Sequence, residues 1–376
     1  MSRWQEINMS LESYILRVQK ETHPGAVDSL VQGALSALSG VYERGAVSRR
    51  EKETARAVHA GIPVISVGNI TAGGTGKTPC IIALAKMCLA AGVLPAVVSR
   101  GYKSELEKEG GIVADGRKIF LSERQAGDEP YMMAQKLPGV PILIGKDRIK
   151  SAAAAKAMGA KILLLDDGFQ YWKLARDLDI VLIDATDPFG GGYVLPRGLL
   201  REPKEALSRA GLFLVTKAGQ VSEKTRESVK QEIAKYAPAA PIIEVDHAPA
   251  TLTTLSDWPE TVSLAEAEKG TAFLLSGIGN PAAFRKTAEE AGLTVLGMQT
   301  LPDHAAYTEA DVKSALSAAR KSGAATLVIT EKDAVKIKEN IALSKEDTEY
   351  IEVLGIEMKE TGGGALFGDV LSRYLG

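Results

Sequence analysis

Residues 62–79 read IPVISVGNITAGGTGKTP. An apolar run, IPVISV (62–67), leads into a glycine-rich turn, and the turn runs into a helix-forming stretch over 77–91. The general phosphate loop is G-x-x-x-x-G-K-[ST] between a strand and a helix. Gly76, Lys77 and Thr78 match it; Thr71 takes the place of the first glycine, and Gly73 and Gly74 restore backbone freedom inside the loop. In such a loop successive N–H groups converge on phosphate oxygens, and the following helix points its positive end at them. Lys77 adds a mobile charge for the β- and γ-oxygens, and Thr78 offers a hydroxyl to Mg²⁺. Pro79 falls in the first helical turn, where a missing N–H costs little. A glycine turn without a nucleotide is the plain alternative. The strand–loop–helix setting favours a nucleotide cradle made of Thr71, Ala72, Gly73, Gly74, Thr75, Gly76, Lys77 and Thr78.

Outward from this loop, short Val/Ile/Leu runs alternate with helical stretches. Strands are predicted at 62–67, 94–98, 140–144, 161–165, 179–183 and 211–215, and helices at 77–91, 129–136, 147–158 and 222–236. Continuous apolar runs between helices indicate a parallel sheet covered on both faces. Residues 112–121, IVADGRKIFL, read as a hairpin turning at Asp115-Gly116. After the Pro/Ala-rich break APAAP (237–241), the strand IIEVD, a strand–turn–helix at 272–291, a helix at 308–322 and strands at 325–329 and near 350–354 read as a second, smaller unit. A last helix, 364–375, caps either unit. The expected fold is α/β: a P-loop NTPase-like α/β/α domain with a mostly parallel sheet over 1–240, and a second α/β/α domain over 241–376.

The phosphate-loop chemistry needs a second piece, a strand that ends in a carboxylate near the metal. KILLLDD supplies Asp166 and Asp167 at a strand's C-terminal edge, where open α/β sheets bind ligands. Two acids that merely end a strand are the alternative. The late strand that would carry a guanine-reading Asn/Thr-Lys-x-Asp signature ends in Thr216-Lys217-Ala218-Gly219, and Thr330-Glu331-Lys332-Asp333 has the wrong spacing, which favours ATP. With a net charge of -2 and 5% aromatic residues, the composition argues against nucleic acid as a partner. Cys80 and Cys88 form no metal or redox motif and read as buried small hydrophobes. The four histidines (His23, His59, His247, His304) have no zinc-like spacing.

At the N-terminus, Leu11, Tyr14, Ile15 and Val18 fall at helical spacing, as do Leu30, Ala34, Leu38, Val41 and Tyr42. Arg44, Arg49, Arg50, Lys52 and Arg56 follow the second stripe. An apolar face with a basic flank suits an anionic bilayer, whereas packing on its own domain is the plainer reading. Glu6, Glu12, Arg17 and Lys20 interrupt any secretion-signal core, and Lys86 interrupts the longest apolar run, so a cytoplasmic protein that could lie on a membrane is expected.

An ordered set of motifs resembles the tetraacyldisaccharide 4'-kinases, the lipid A kinases of outer-membrane bacteria: VGNITAGGTGKTP (67–79), SRGYK (99–103), AGDEPYMMA (126–134), IGKDR (144–148), LLDDGFQ (164–170), RDLDIVLID (176–184), LPRGLLREP (195–203), SGIGNPAAF (276–284), PDHAAYT (302–308) and TEKDAVK (330–336). The resemblance covers residues 27–376. It implies two α/β/α units and transfer of the γ-phosphoryl group of ATP, with Mg²⁺, to the 4'-hydroxyl of an acylated glucosamine disaccharide 1-phosphate, giving lipid IVA. It also implies peripheral attachment to the cytoplasmic face of the inner membrane, with no required protein partner. Residue by residue, it places Lys77 and Thr78 on phosphate and metal, and Asp166 and Asp167 as the acidic pair. It makes Arg201 an active-site residue, Asp128 the candidate base and His304 its partner, with Asn69, Gln170 and Glu202 as further active-site residues. Without the resemblance, Asp128 reads as a helix N-cap before EPYMMAQKL, His304 as a surface loop, and Arg100 and Arg148 as structural ion pairs. A P-loop kinase of another lipid-linked or small sugar, and a non-catalytic nucleotide-dependent membrane switch, are the alternatives. Residues 1–26 lie outside the resemblance; an amphipathic helix making a second membrane contact is one reading of them.

Overall fold

The structure, a computed structural model, describes residues 11–20, 25–302, 305–361 and 366–375. In chain order the elements begin with α1 (Leu11–Lys20), α2 (Ala26–Thr54), β1 (Val64–Gly68), α3 (Lys77–Ala90), β2 (Pro95–Ser99), β3 (Gly111–Asp115), α4 (Glu123–Ala126) and α5 (Asp128–Lys136). They continue with β4 (Pro141–Ile144), α6 (Arg148–Ala157), β5 (Ile162–Asp166), β6 (Leu178–Asp184), β7 (Leu212–Thr216), α7 (Glu223–Ala234), β8 (Ile242–Thr254), β9 (Thr271–Ser276) and α8 (Pro281–Glu290). The remainder are β10 (Thr294–Thr300), α9 (Glu309–Ser322), β11 (Thr326–Thr330), α10 (Glu331–Asn340), α11 (Lys345–Tyr350), β12 (Ile351–Glu360) and α12 (Leu366–Leu375). The fold is α/β with mostly parallel strands, and each strand predicted between 62 and 215 is present within a residue or two. The hairpin over 112–121 is present in short form: Val113 accepts from Phe120 N–H, and Ala114 bridges Ile119.

Contacts divide the chain into two compact units, each assembled from several stretches. The first takes Met1–His59, Ser66–Thr75 and Asp167–Glu244. Here β6 and β7 run parallel, with Ile180 opposite Leu212 and Asp184 opposite Thr216. Val181, Ile183, Phe213 and Val215 bury one face together with Ile70, Phe169, Leu207 and Ile233. Each such side chain contributes about 1.5–3 kcal/mol of burial. α1 lies on α2: Tyr14 donates to Asp28 (2.7 Å) and Gln32 donates to the Val18 carbonyl (2.8 Å). Val18 is fully buried, and Gln19 donates to the Pro196 carbonyl, so α1 is fastened to its own unit through this part of its stripe.

The second unit takes Ala60–Ile65, Gly76–Asp166 and Val245–Gly376. One group of its strands has β2 parallel to both β5 and β4, with β3 antiparallel on β4. In another, β10, β9, β11 and β12 follow one another in parallel and β8 pairs antiparallel with β12. β5 is buried at every position, which matches its uninterrupted Ile-Leu-Leu-Leu run. Along α3, Cys80, Ile81, Leu84, Ala85 and Cys88 are fully buried. Burial pushes the thiol of Cys88 up to about 11 and that of Cys80 higher still, so both cysteines behave as the inert core residues expected. α12 lies against α3: a methyl group added at Gly368 would be 3.5 Å from the Met87 Cε.

Candidate active site

β1 ends at Gly68, and α3 starts at Lys77 after the glycine-rich loop. Gly76, the residue before α3, sits at φ 87°, ψ 26°, a left-handed conformation that glycine adopts without a Cβ penalty. No side chain caps α3 among the described residues, so its first amides are oriented for an external acceptor, as in phosphate-binding helix termini. Thr75 and Thr78 are buried in this stretch, and the Thr75 hydroxyl has no hydrogen-bond partner among the described residues. A buried donor left over in a loop of this shape suits a phosphate oxygen.

Within the first unit the loop is pinned by backbone. Ala72 N–H donates to the Leu199 carbonyl (2.7 Å), and Arg201 N–H donates to the Ile70 carbonyl (2.7 Å). Asn69 donates to the Thr71 carbonyl (2.8 Å), and Gln170 donates to the Asn69 carbonyl (3.0 Å). The LLREP segment therefore runs beside the phosphate loop. Asp167 has φ 48°, a left-handed residue directly after β5, and its two oxygens accept from Arg201 Nη1 at 3.0 and 2.8 Å. Arg201 also reaches the Gln170 side-chain oxygen (3.3 Å). This pair is partly exposed; such pairs contribute about 1 kcal/mol or less, so its value lies in orientation. Glu202 differs: it is 2% exposed, takes two bonds from Arg209 (2.9 Å each) and one from Gln170 (3.1 Å). It is a buried post that holds Gln170 and Arg209, and Arg209 in turn covers the Phe169 ring at 4.3 Å.

Within the second unit, Asp166 ends β5 almost fully buried, and its Oδ2 accepts from the Ser99 hydroxyl at the end of β2 (2.8 Å). Asp128 is the first residue of α5 and not its cap: Gly127, at φ 91°, occupies the cap position and makes no side-chain bond. The Asp128 Oδ1 accepts from Glu129 N–H (2.9 Å), and its Oδ2 lies 3.8 Å from Lys336 Nζ. Arg100 pairs with Glu107 (2.7 Å), the structural ion pair read from the sequence. His304 lies outside the described residues.

Two participants carry no usable sequence signal. The His247 ring, on β8, stands over Gly76 so closely that a Cβ there would collide with its Cε1 and Nε2. A lone histidine in DHAP gives no hint of that contact. Ser99 was visible inside SRGYK, yet a serine at a strand end has no pattern that announces a carboxylate partner.

Among the described residues no group of three or more His, Cys, Asp or Glu side chains could hold a metal. Magnesium is commonly held by one or two carboxylates and the oxygens of its phosphate ligand. Thr78 and Asp166 are of the right chemistry for that role.

A family model described as tetraacyldisaccharide-1-P 4'-kinase matches residues 31–372. The tetraacyldisaccharide 4'-kinase of Halothermothrix orenii is 37% identical over 385 residues, covering 97% of this chain and 98% of that protein. The enzyme of the same name from Anaeromyxobacter sp. (strain Fw109-5) is 38% identical over 358 residues, covering 93% of each. Among solved structures, LpxK of Aquifex aeolicus in complex with ATP superposes with a TM-score of 0.71 at 27% identity, over 92% of this chain and all of that one. The phosphate loop, the acids at the end of β5 and the family match over residues 31–372 lead to one assignment: the chain belongs to the tetraacyldisaccharide-1-P 4'-kinase family.

Proposed function

We propose that this protein transfers the γ-phosphoryl group of ATP to the 4'-hydroxyl of a tetraacylated glucosamine disaccharide 1-phosphate. The observation that carries this reading is the left-handed Gly76 before an uncapped α3, in a chain matched to that kinase family over residues 31–372. Phosphoryl transfer passes through a loose transition state, so alignment and charge neutralisation outweigh strong deprotonation. The amides of 73–78 and Lys77 grip the β- and γ-phosphates. Thr78 and Asp166 would hold a magnesium ion, with Asp167 beside Asp166 in the chain; such an ion would supply positive charge for the phosphates. Arg201, held by Asp167 and Gln170, carries a planar guanidinium suited to a phosphate group. Asn69 and Glu202 hold the loop and its neighbour in place. Asp128 accepts the proton of the sugar hydroxyl late in the transfer, with His304 as its partner. Incubation with γ-labelled ATP, Mg²⁺ and the tetraacyl disaccharide in detergent micelles tests the reading. Label on the 4'-oxygen is expected; label on another position, or release of phosphate alone, would refute it.

The same proposal places the protein on the inner-membrane surface, on its cytoplasmic face and without a required protein partner. Val27, Leu30, Leu38 and Val41 on α2 are between 56% and 77% exposed, and the Arg44–Arg56 segment that follows is basic. No described helix is long and apolar enough to cross a membrane. An exposed apolar stripe with a cationic flank is the pattern of an interfacial helix. The sequence-based division into 1–240 and 241–376 is kept as a proposal for the folding units, although the contact-based units group Gly76–Asp166 with Val245–Gly376. Limited proteolysis should then cut first near 237–241, and a first cut elsewhere counts against it.

A further inference from the structure

α10 is an unusual helix because three of its charged residues are buried. Glu331 is 7% exposed, Asp333 0% and Lys336 8%. Buried charges are expensive unless paired, so each should have an identifiable partner. Glu331 takes the Lys136 ammonium from α5. Asp333 accepts from Gly277 N–H (3.1 Å) and from the Thr330 hydroxyl that caps α10 (2.7 Å). Tyr307 lies beside it, and burial together with the Asp333 carboxylate pushes that phenol well above the ordinary tyrosine range.

Lys336 is left facing acids from three elements. Its Nζ lies 3.8 Å from the Asp128 Oδ2 on α5. Glu123, on α4, is pushed up chiefly by burial; the Asn340 hydrogen bond and the Lys336 charge oppose that, and Asp128 adds to it. Asp333, one turn before Lys336 on α10, is also pushed up by burial, and Lys336 again opposes the shift. Glu129, the neighbour of Asp128, is taken by Lys332. Tyr131, further along α5, donates to Glu339 of α10 (2.7 Å). α5 and α10 are thus joined along their length by charged and polar pairs, and Lys336 faces Asp128 in that series.

We infer that Lys336 is a positioning residue for Asp128, holding its carboxylate in the orientation the phosphoryl transfer needs; this rests on Asp128 being the proton acceptor. Contacts on both oxygens then orient the group. Glu129 N–H holds Oδ1, and the ammonium attracts Oδ2 from beyond hydrogen-bond distance, which orients that oxygen without occupying it in a short bond. The same helix, through Asp333, fastens Gly277, and Tyr307 lies beside that carboxylate, so one element touches several motifs of the chain.

The test is a double-mutant cycle on the full chain, read as kcat and KM for ATP in the micellar assay. Lys336→Met should lower kcat about 10- to 100-fold, the cost of a small misplacement, with KM for ATP within about twofold. Lys336→Arg should recover most of the loss. In an Asp128→Asn background, Lys336→Met should cause almost no further loss, because the two act as a unit. If Lys336→Met does not fold, Lys336→Gln, which keeps a polar head, is read the same way. An inactive Asp128→Asn alongside wild-type kcat in Lys336→Met would overturn the inference and leave the Asp128 reading standing. So would losses that multiply in the double variant. Wild-type turnover in Asp128→Asn would remove the Asp128 reading itself and this inference with it.

Discussion

In the proposed reading, the phosphate loop and the α5–α10 pair reach function by opposite means. Around 71–78 the backbone is the instrument. Amides, a left-handed glycine and an uncapped helix end are arranged for a ligand, and the side chains nearby mainly hold the backbone still. Along α5 and α10 the side chains are the instrument, and the backbone is an ordinary pair of helices joined by ion pairs. Backbone sites tolerate almost no change in conformation but accept much variation in side chains. Charged side-chain sites behave the other way round, because removing one partner strands the other in a poorly solvated place.

That contrast can be broken by substitution. Lys77→Ala should have the largest effect, abolishing transfer at the level of the micellar assay, because it removes the loop's lysine; an active variant would discredit the loop assignment. Asp128→Ala should lower kcat at least about 100-fold while an ATP analogue still binds with near-normal affinity. Loss of nucleotide affinity in that variant would erase the distinction between the two regions. Gly76→Ala forces a Cβ into the left-handed region and against the His247 ring. Strain of about 1–3 kcal/mol is expected, seen as a raised KM for ATP and a lowered Tm. A variant with both unchanged would show that the loop does not depend on that conformation. The smallest effect on chemistry should come from Leu30→Glu with Val41→Glu on α2. Both side chains are more than 60% exposed, so Tm and activity on a micellar substrate should change little. Partitioning onto anionic vesicles should fall several-fold; unchanged partitioning would remove α2 from the membrane contact.

The two regions were also unequally legible in the sequence. The loop was readable because its chemistry demands a fixed spacing, and the buried strands because each is an unbroken apolar run, as in β5 and β7. α10 was not predicted. Its EKDAVKIKEN sequence hides its inner face, since a periodicity rule counts Glu331, Asp333 and Lys336 as outward-facing when they are buried. β10 was missed because TVLGMQT has neither an unbroken apolar run nor a clean alternation, and its register slips between Val295 and Gly297. The α2 stripe was placed correctly on a helix, but only the structure shows that it faces outward. Asp128 was legible as a motif residue, and its partner Lys336 was not, because that contact joins stretches far apart in the chain.

The central claim is that residues 73–78 grip the triphosphate while Asp128 faces the acceptor. A crystal structure with a non-hydrolysable ATP analogue, Mg²⁺ and the lipid acceptor tests it most directly. The β- and γ-phosphates should lie on the amides before α3 within hydrogen-bond distance of Lys77, and the Asp128 carboxylate should be in reach of the 4'-hydroxyl. Phosphates bound elsewhere, or a 4'-hydroxyl out of reach of Asp128, would contradict the account.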